Sequence, residues 1–271
     1  MNLALKSLLR PLFKLLMLLL LAVLSLQLYF VGRIALMAVL APESTAFQRS
    51  EIFRVTNTTG SLKWRQNWVP YAEISVNLKR AVITSEDASF TEHDGLDLEA
   101  LEKAWGKNTV AEQRAQKQTD RIAAEEARRQ KWKKTSAAPT PQKLVAKAPK
   151  IVGGSTITQQ LAKNLFLSGE RTLLRKGEEL VITLLLEALL DKQRILEIYL
   201  NNVEWGEGIF GAEAAAQHYF RKPAARLSPY EAARLAVMLP RPRYFETRPG
   251  SEYLASRANT IVARMGAVSL P

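Results

Sequence analysis

The chain has 271 residues, no cysteine and 47% hydrophobic residues, enough for one good-sized domain with additional segments. Its formal net charge of +12 suggests a nucleic-acid-binding protein. However, residues 107–150 hold twelve Lys or Arg and four Asp or Glu, which is two thirds of the excess. The remainder is nearly balanced, and the composition therefore argues against a general nucleic-acid-binding surface.

The N-terminal region predicts a membrane anchor. Residues 15–31 are apolar except for Ser25 and Gln27, and a second apolar run covers 34–41. Seventeen residues lie at the short end of what spans a bilayer. The alternative is a cleaved signal peptide, but the apolar region exceeds the usual roughly 7–15 residues and no small-x-small cleavage site follows.

The charges before this span predict its orientation. Lys6, Arg10 and Lys14 precede it, and basic residues mark the cytoplasmic side of a membrane helix. We therefore expect residues 1–14 to be a cytoplasmic tail and 15–41 to be the anchor with its juxtamembrane segment. The remainder would lie outside the cytoplasm, on the far side of that membrane.

The segment after the anchor is predicted to change from extended to helical. Residues 42–70 have the character of a mixed, partly extended connector, whereas 74–85 show helical spacing of apolar residues. Asp94-Gly95 indicates a turn. Asp97 is then expected to cap a short helix that runs through Trp105.

Residues 107–150 differ in kind from their surroundings. The first part favours helix yet nearly lacks an apolar stripe, and the second part is a Pro/Ala/Lys-rich linker. We expect a basic, flexible insertion that is helical at most in part. Attraction to anionic lipid headgroups is a natural use of its charge.

The remaining chain predicts a mainly α domain. Residues 173–190 are apolar nearly all round, which is typical of a buried central helix. The pattern continues through 194–201 to a glycine-rich turn at 205–211, and Ser228 begins a further helix. We expect the domain to cover 42–250, with 251–271 as a C-terminal helix or tail.

Glu86 and Asp87 form the first of three polar clusters, with Phe90 and His93 downstream. Desolvation beside an aromatic residue can raise the pKa of a carboxyl group, as a general base requires. The alternative is a helix-end acid pair that hydrogen-bonds its own loop.

The second cluster lies in the stretch GGSTITQQLAKN, residues 153–164. Helical spacing puts Thr156, Gln160 and Lys163 on one face with Asn164 at its edge. The alternative is local, because Thr156 and Gln159 also form a T-x-x-Q capping box.

The third cluster is Arg175-Lys176 with Glu179, which could be a surface ion pair of little energetic value. Together with Lys163, however, these cations would suit a diphosphate. The sequence has no pattern for a nucleotide, a resident metal or a Ser/His/Asp hydrolase. No cofactor is required, although Mg or Mn at a diphosphate is compatible with it.

At these residues the chain resembles the peptidoglycan glycosyltransferases, the family shared with class A penicillin-binding proteins. EDASFTEHDGLD is similar to their first motif and GGSTITQQLAKN to their second. RKGEE, RILEIYLN and FGAEAAAQHYF match the others. The likeness covers about residues 50–106 and 151–250. It is closest to the monofunctional members, since no S-x-x-K and no room for a transpeptidase domain follow.

The resemblance implies a lysozyme-like, largely α domain with a head and a small membrane-dipping jaw. The implied reaction is polymerisation of lipid II into β-1,4-linked glycan, with inversion and release of undecaprenyl diphosphate. The implied partners are lipid II, the growing lipid-linked glycan, membrane lipids and other cell-wall synthesis proteins, but not nucleic acid.

The resemblance also implies roles for the three clusters. Glu86 corresponds to the general base and Glu179 to a second active-site carboxylate. Lys163, Arg175 and Lys176 would hold the diphosphate, and Thr156, Gln160 and Asn164 would position the donor. Asp87, Phe90 and His93 would shape the loop around Glu86.

Two other functions remain as alternatives. A lysozyme-like peptidoglycan hydrolase would share the fold and Glu86 but has no use for diphosphate-binding cations. An inactive, membrane-anchored cell-wall scaffold would tolerate loss of Glu86 or Glu179, and both are present. The family's connector between its first two motifs is usually much shorter, so the basic insertion is a departure from its pattern.

Overall fold

A computed structural model describes residues 3–61, 64–133, 154–167 and 172–271. The chain forms two compact units, one of Met1–Leu96 with Thr156–Pro271 and one of Asp97–Ser155. Among the described residues, the first contains the sheet, the main hydrophobic core and all helices but one. The second is built on that remaining helix.

Helix α1 spans Leu3–Met37, and its part Arg10–Met37 is long and apolar enough to cross a membrane. Its last turns belong to the folded domain, because Phe30, Ile34 and Met37 are buried in the main core. Arg194 fixes its end: Nε donates to the Met37 carbonyl at 2.7 Å and Nη2 to the Leu40 carbonyl at 2.8 Å. These donors satisfy carbonyls that a helix end leaves unpaired.

The expected connector at 42–70 is wrong over half its length, because α2 covers Ala46–Thr59. Thr45 and Gln48 form a capping box at its start, which satisfies backbone N–H groups that lack helical partners. Gly60, in the left-handed region at φ 66°, ends it. The helix is mostly polar, so apolar spacing did not reveal it.

A small sheet accompanies the helices of this mainly α domain. β1 (Arg65–Gln66) pairs in parallel with β3 (Ile209–Phe210), and β3 pairs antiparallel with β2 (Glu204–Gly206). The predicted glycine-rich turn is thus the β2–β3 hairpin. A cross-strand pair this short adds little cooperative stability, and the domain remains mainly α.

The other helices of this unit surround one apolar core, with α9 packed against both α3 and α11. Their ranges are α3 Val76–Glu86, α5 Ile157–Phe166, α6 Leu173–Leu189, α7 Lys192–Asn202, α8 Ala212–Phe220, α9 Pro229–Met238, α10 Pro242–Glu246 and α11 Glu252–Arg264. The expected capping boxes of α5 and α9 are both present, with Thr156 and Ser228 as the N-caps. Single 3-10 turns lie at Tyr71–Glu73 and Ala224–Arg226.

Helix α6 is not enclosed on all sides, contrary to expectation. Ile182 and Leu186 are fully buried, but Leu180, Val181 and Leu184 are exposed. A helix that is apolar all round is covered either by protein or by lipid, and sequence periodicity does not separate the two.

Helix α11 belongs to the same core, although the domain was expected to end at residue 250. Leu254, Ala258 and Ile261 are buried at the spacing of one helix face, and Met265 follows them. The C-terminal helix is therefore structural rather than a tail.

The second unit contains α4, Leu98–Lys133. Asp97 caps it as expected, accepting the Ala100 N–H at 2.7 Å, but the helix runs far beyond Trp105. Gly154 packs closely on it: a Cβ there would lie 3.2 Å from the Ala104 Cβ. The predicted linker, 135–150, lies outside the described residues.

Candidate active site

Glu86 is the last residue of α3 and accepts a hydrogen bond from a side chain of α5. Nε2 of Gln160, on the first turns of α5, donates to its Oε2 at 3.0 Å. Burial raises the pKa of Glu86 above its ordinary value, because the charged form loses hydration. The Gln160 bond and the positive charge of Lys163 lower the pKa of Glu86, in partial opposition.

Asp87, the next residue, has both carboxylate oxygens occupied. Oδ2 accepts the Ile157 N–H at 2.9 Å, and Oδ1 lies 2.9 Å from Nε2 of His93. The first contact places a negative charge at the N-terminus of α5, where the helix dipole stabilises it. Asp87 therefore joins the loop after α3 to the start of α5.

The tautomer of His93 follows from its two partners. Nδ1 accepts the Gly95 N–H at 3.1 Å, so the ring proton is assigned to Nε2, which donates to Asp87. The imidazole is thereby fixed within its own loop, with only 10% of the side chain exposed.

Thr156 links the same loop to α5 and is buried. Its hydroxyl donates to the Gly95 carbonyl at 2.7 Å and accepts the Gln159 N–H at 3.2 Å. Gly95 has φ +84°, and a Cβ there would meet Cγ2 of Thr183 at 2.7 Å. Close approach of α6 and the left-handed backbone both require glycine at this turn.

Behind this loop lies a group of polar residues that sequence analysis missed. Phe90 is fully buried, with Nζ of Lys192 4.6 Å from its ring centroid. That ammonium donates to the His93 carbonyl and to Oε1 of Glu187, which also accepts the Thr158 hydroxyl at 2.6 Å. Sequence gave no signal for this group, because its members lie on three separate segments.

Tyr199 is the second omission. It is fully buried on α7, and its hydroxyl donates to Oε1 of Gln160 at 3.0 Å. Burial raises the pKa of Tyr199 well above its ordinary value, and the charges of Glu86 and Asp87 raise it further. Tyr199 stands in the RILEIYLN motif, which was the available signal, but helical spacing there indicated only a core position.

Glu179 forms a second charged group on α6. Its side chain is only 6% exposed and pairs with Nζ of Lys176, while Nη1 of Arg175 lies 3.9 Å from its other oxygen. Within the part of the chain that is described, Nε of Arg175 is buried without a hydrogen-bond partner. A buried guanidinium nitrogen in that state is suited to receive an anion.

The structure thus gathers the expected residues into two groups. Glu86, Asp87, His93, Thr156 and Gln160 are joined by hydrogen bonds, and Lys163 is close enough to affect Glu86. Arg175, Lys176 and Glu179 form the other group. Helix α5, which carries Gln160, packs against α6, which carries Glu179. The Thr158 hydroxyl of α5 donates to Glu187 of α6, about 12 Å along that helix from Glu179. Asn164, half-buried, follows Gln160 by one turn.

Comparison with known proteins gives a consistent result. The family model described as Transglycosylase matches residues 54–150 and 132–266. A biosynthetic peptidoglycan transglycosylase of Burkholderia thailandensis is 49% identical over 245 residues, 90% of this chain and 82% of the relative. The protein of that name in Herminiimonas arsenicoxydans is 46% identical over 266 residues, 98% of this chain and all of the relative.

Fold, site and relatives together define a glycosyltransferase of peptidoglycan synthesis with a lysozyme-like, mainly α domain. The chain belongs to the transglycosylase family. The resemblance inferred from its motifs is confirmed.

Proposed function

We propose that the enzyme polymerises lipid II into β-1,4-linked glycan strands. The lipid-linked growing strand is the donor, and the 4-hydroxyl of an incoming lipid II sugar is the acceptor. Attack at the anomeric carbon inverts its configuration and releases undecaprenyl diphosphate. The activity is glycosyl transfer alone, without transpeptidation.

The observation that carries this proposal is the environment of Glu86. A general base works best when its pKa is not far from the working pH, and burial moves the pKa of Glu86 in that direction. The Gln160 amide donates to Oε2 of Glu86 at 3.0 Å, and a hydrogen bond with the Ser85 side chain also lowers the pKa of Glu86. Glu86 is the carboxylate that would take the proton of the acceptor hydroxyl.

Asp87 is assigned a different role because its oxygens are both engaged. It fixes the loop and the start of α5, with His93 and the buried ring of Phe90 supporting the same loop. These three residues would hold Glu86 in place rather than contact the sugar.

The leaving group would be stabilised by positive charge. Lys163, Arg175 and Lys176 supply it, and the unpartnered Nε of Arg175 provides a donor within the described residues. Charge that develops on a leaving group is commonly stabilised by several kcal/mol through such contacts. A diphosphate leaves well, and cations therefore substitute for a general acid.

Glu179 would hold the two cations of its own helix in position for the diphosphate. Because its described neighbours are Arg175 and Lys176, a divalent cation at this carboxylate would meet two positive charges. Mg or Mn at the diphosphate itself would screen phosphate charge, but we assign no step to it.

The three residues expected to position the donor divide into different roles. Thr156 is buried with its hydroxyl engaged, so it would act through the loop at Gly95. Gln160 is bound at both ends of its amide and would orient Glu86. Asn164, at the edge of that face, is the remaining candidate for direct contact with the donor.

The proposed location is the inner membrane, with α1 as a single span, a cytoplasmic N-terminus and a periplasmic domain. The apolar stretch of α1 and the basic residues before it support this orientation.

The test is to incubate the full chain, reconstituted in vesicles, with labelled lipid II. Polymer should form with the parent and with Glu92→Gln, an exposed carboxylate of the same loop. With Glu86→Gln the rate should fall by about 10²–10⁴-fold. Digestion of preformed glycan without synthesis would support the hydrolase, and neither activity would support the scaffold.

A further inference from the structure

Helix α4 carries a continuous basic stripe on one face. Six exposed cations recur at steps of three, four and seven residues: Lys103, Lys107, Arg114, Lys117, Arg121 and Arg128. At about 100° per residue they fall within an arc of about 80° and extend about 38 Å along the helix. Two carboxylates, Glu99 and Glu125, share the arc, so cations dominate it.

The stripe is not explained by the stability of the helix itself. Like charges three or four residues apart on a helix repel each other. This applies to Lys103 with Lys107, and to Lys117 with both Arg114 and Arg121. Only Lys103 is in an ion pair with another side chain of the described segments, its partner being Glu99 at 2.5 Å. The other cations of the stripe therefore present their charge to whatever lies outside the helix.

We propose that the basic stripe of α4 binds the anionic headgroup surface of the membrane in which the chain is anchored. A row of charges about 38 Å long matches an extended anionic surface better than a single small ligand. The N-terminal span lies in the same polypeptide, which keeps such a surface within reach. Each Lys or Arg near an anionic bilayer adds to the attraction, and salt screens it.

This inference rests on the membrane anchoring proposed above but not on the glycosyltransferase reaction. Flotation of reconstituted vesicles tests the anchoring by itself. Polymerisation in neutral vesicles tests the reaction by itself. A failure of the anchoring or of the reaction can therefore be told apart from a failure of the stripe to bind headgroups.

The absence of cysteine allows a direct experiment on the full chain. Single variants Val110→Cys, within the stripe, and Glu112→Cys, about 160° away, would carry a fluorophore. Both parent positions are exposed and lie within one turn of α4. Vesicles of phosphatidylcholine, alone or with about one third phosphatidylglycerol, would hold a quencher attached to the headgroups.

In anionic vesicles, quenching at position 110 should exceed that at 112 by about twofold or more. The excess should disappear in neutral vesicles and in about 0.5 M salt, where the Debye length is about 4 Å. Equal quenching at both positions, or an excess that survives salt, overturns the proposal. An excess that appears only when peptidoglycan is added also overturns it, in favour of a wall polymer.

Charge reversal supplies the matched comparison. The triple substitution Arg114→Glu, Lys117→Glu and Arg121→Glu should abolish the excess at position 110. The same charge change at three exposed arginines of the other unit, Arg226→Glu, Arg257→Glu and Arg264→Glu, should leave it intact. Equal loss in both variants would contradict a role for this particular stripe.

Discussion

The Tyr199 hydroxyl donates to the carbonyl oxygen of Gln160 at 3.0 Å, and the amide nitrogen of Gln160 donates to Glu86 at 3.0 Å. An ionised carboxylate only accepts hydrogen bonds, so Glu86 requires the amide nitrogen of Gln160 to face it. The buried phenol of Tyr199 then holds the opposite end of the amide, the carbonyl oxygen. We therefore propose that Tyr199 positions Gln160 for its contact with Glu86.

Tyr199→Phe is therefore expected to lower the turnover of lipid II. Without the phenol, the Gln160 carbonyl loses its donor, and the amide is less firmly held for its hydrogen bond to Glu86. A hydrogen bond to a charged group contributes about 1.5–3 kcal/mol, so kcat should fall about 10- to 100-fold. Since the Gln160 bond lowers the pKa of Glu86, its loss should move the acid limb of the pH–rate profile to higher pH.

Tyr219→Phe is the matched control for that shift. Its hydroxyl donates to the Trp205 carbonyl at 2.8 Å and the side chain is partly buried, but the hydroxyl is not bonded to Gln160. The variant should lose stability without moving the acid limb. An unshifted limb in Tyr199→Phe would show that the phenol serves only the core.

Glu86→Gln should raise the thermal stability of the protein at neutral pH while it removes activity. The folded pKa of Glu86 lies above its unfolded value, so its favourable contribution is present at low pH and is lost as pH rises through the folded pKa. Glutamine keeps the acceptor for Gln160 without the buried charge. Melting curves should show a higher Tm than the parent at pH 7 and no difference below the ordinary glutamate pKa of 4.5.

For this comparison Glu92→Gln is again the control, and its Tm should follow the parent at every pH. A Glu86→Gln protein that melts below the parent at pH 7 would mean that the carboxylate stabilises the fold.

Gly95→Ala should destabilise the first unit by about 1–3 kcal/mol, because the left-handed backbone disfavours a side chain. The new Cβ would also meet Thr183 at 2.7 Å and Glu187 at 3.0 Å. Chemical denaturation of the full chain in detergent would measure the loss. At Gly106, within α4, nothing lies within 4 Å of an added Cβ, and Gly106→Ala should not destabilise the protein.

Arg194→Lys should weaken the attachment of α1. Lysine keeps the charge but cannot reproduce the planar fork that reaches the carbonyls of Met37 and Leu40. Amide exchange at residues 38–44 should accelerate, and stability should fall by about 1–2 kcal/mol. Arg49→Lys tests specificity, because the exposed guanidinium of Arg49 hydrogen-bonds Ser44 and neither Met37 nor Leu40 in the described chain. Exchange at residues 38–43 should then match the parent, and an unchanged rate in Arg194→Lys would contradict the expectation.

Arg175→Gln should raise the KM for lipid II, because it removes the guanidinium whose Nε has no partner in the described chain. A contact present in ground and transition states affects KM, whereas one confined to the transition state lowers kcat. A loss of about tenfold or more in kcat/KM is expected. Arg226→Gln, at an exposed turn of the same unit, should behave as the parent in the same assay.

The sequence predicted helix starts correctly where they depend on interactions between residues close together in the chain. The capping boxes that begin at Thr156 and Ser228, and the cap at Asp97, require only residues three positions apart. The end of α4 and the existence of α2 were missed because both helices are mostly polar, and apolar spacing does not register such segments.

The site shows the same division. The sequence motifs indicated Glu86, Gln160 and Glu179 as site residues. They did not indicate that Asp87, rather than Glu86, accepts a backbone hydrogen bond. That depends on the N–H of Ile157, seventy residues away from Asp87. The Tyr199 relay and the Glu187–Lys192 pair likewise arise only when α5, α6 and α7 come together.

The burial of Phe30, Ile34 and Met37 bears on how a truncated protein would behave. A shortened chain that starts after residue 37 lacks three buried side chains of the core and removes the Met37 carbonyl to which Arg194 donates. Each missing large apolar group typically costs about 2–5 kcal/mol, against a total stability of about 5–15 kcal/mol. Preparing this enzyme without its leading helix would thus remove part of its interior, and a detergent-solubilised whole chain is the form on which to study it.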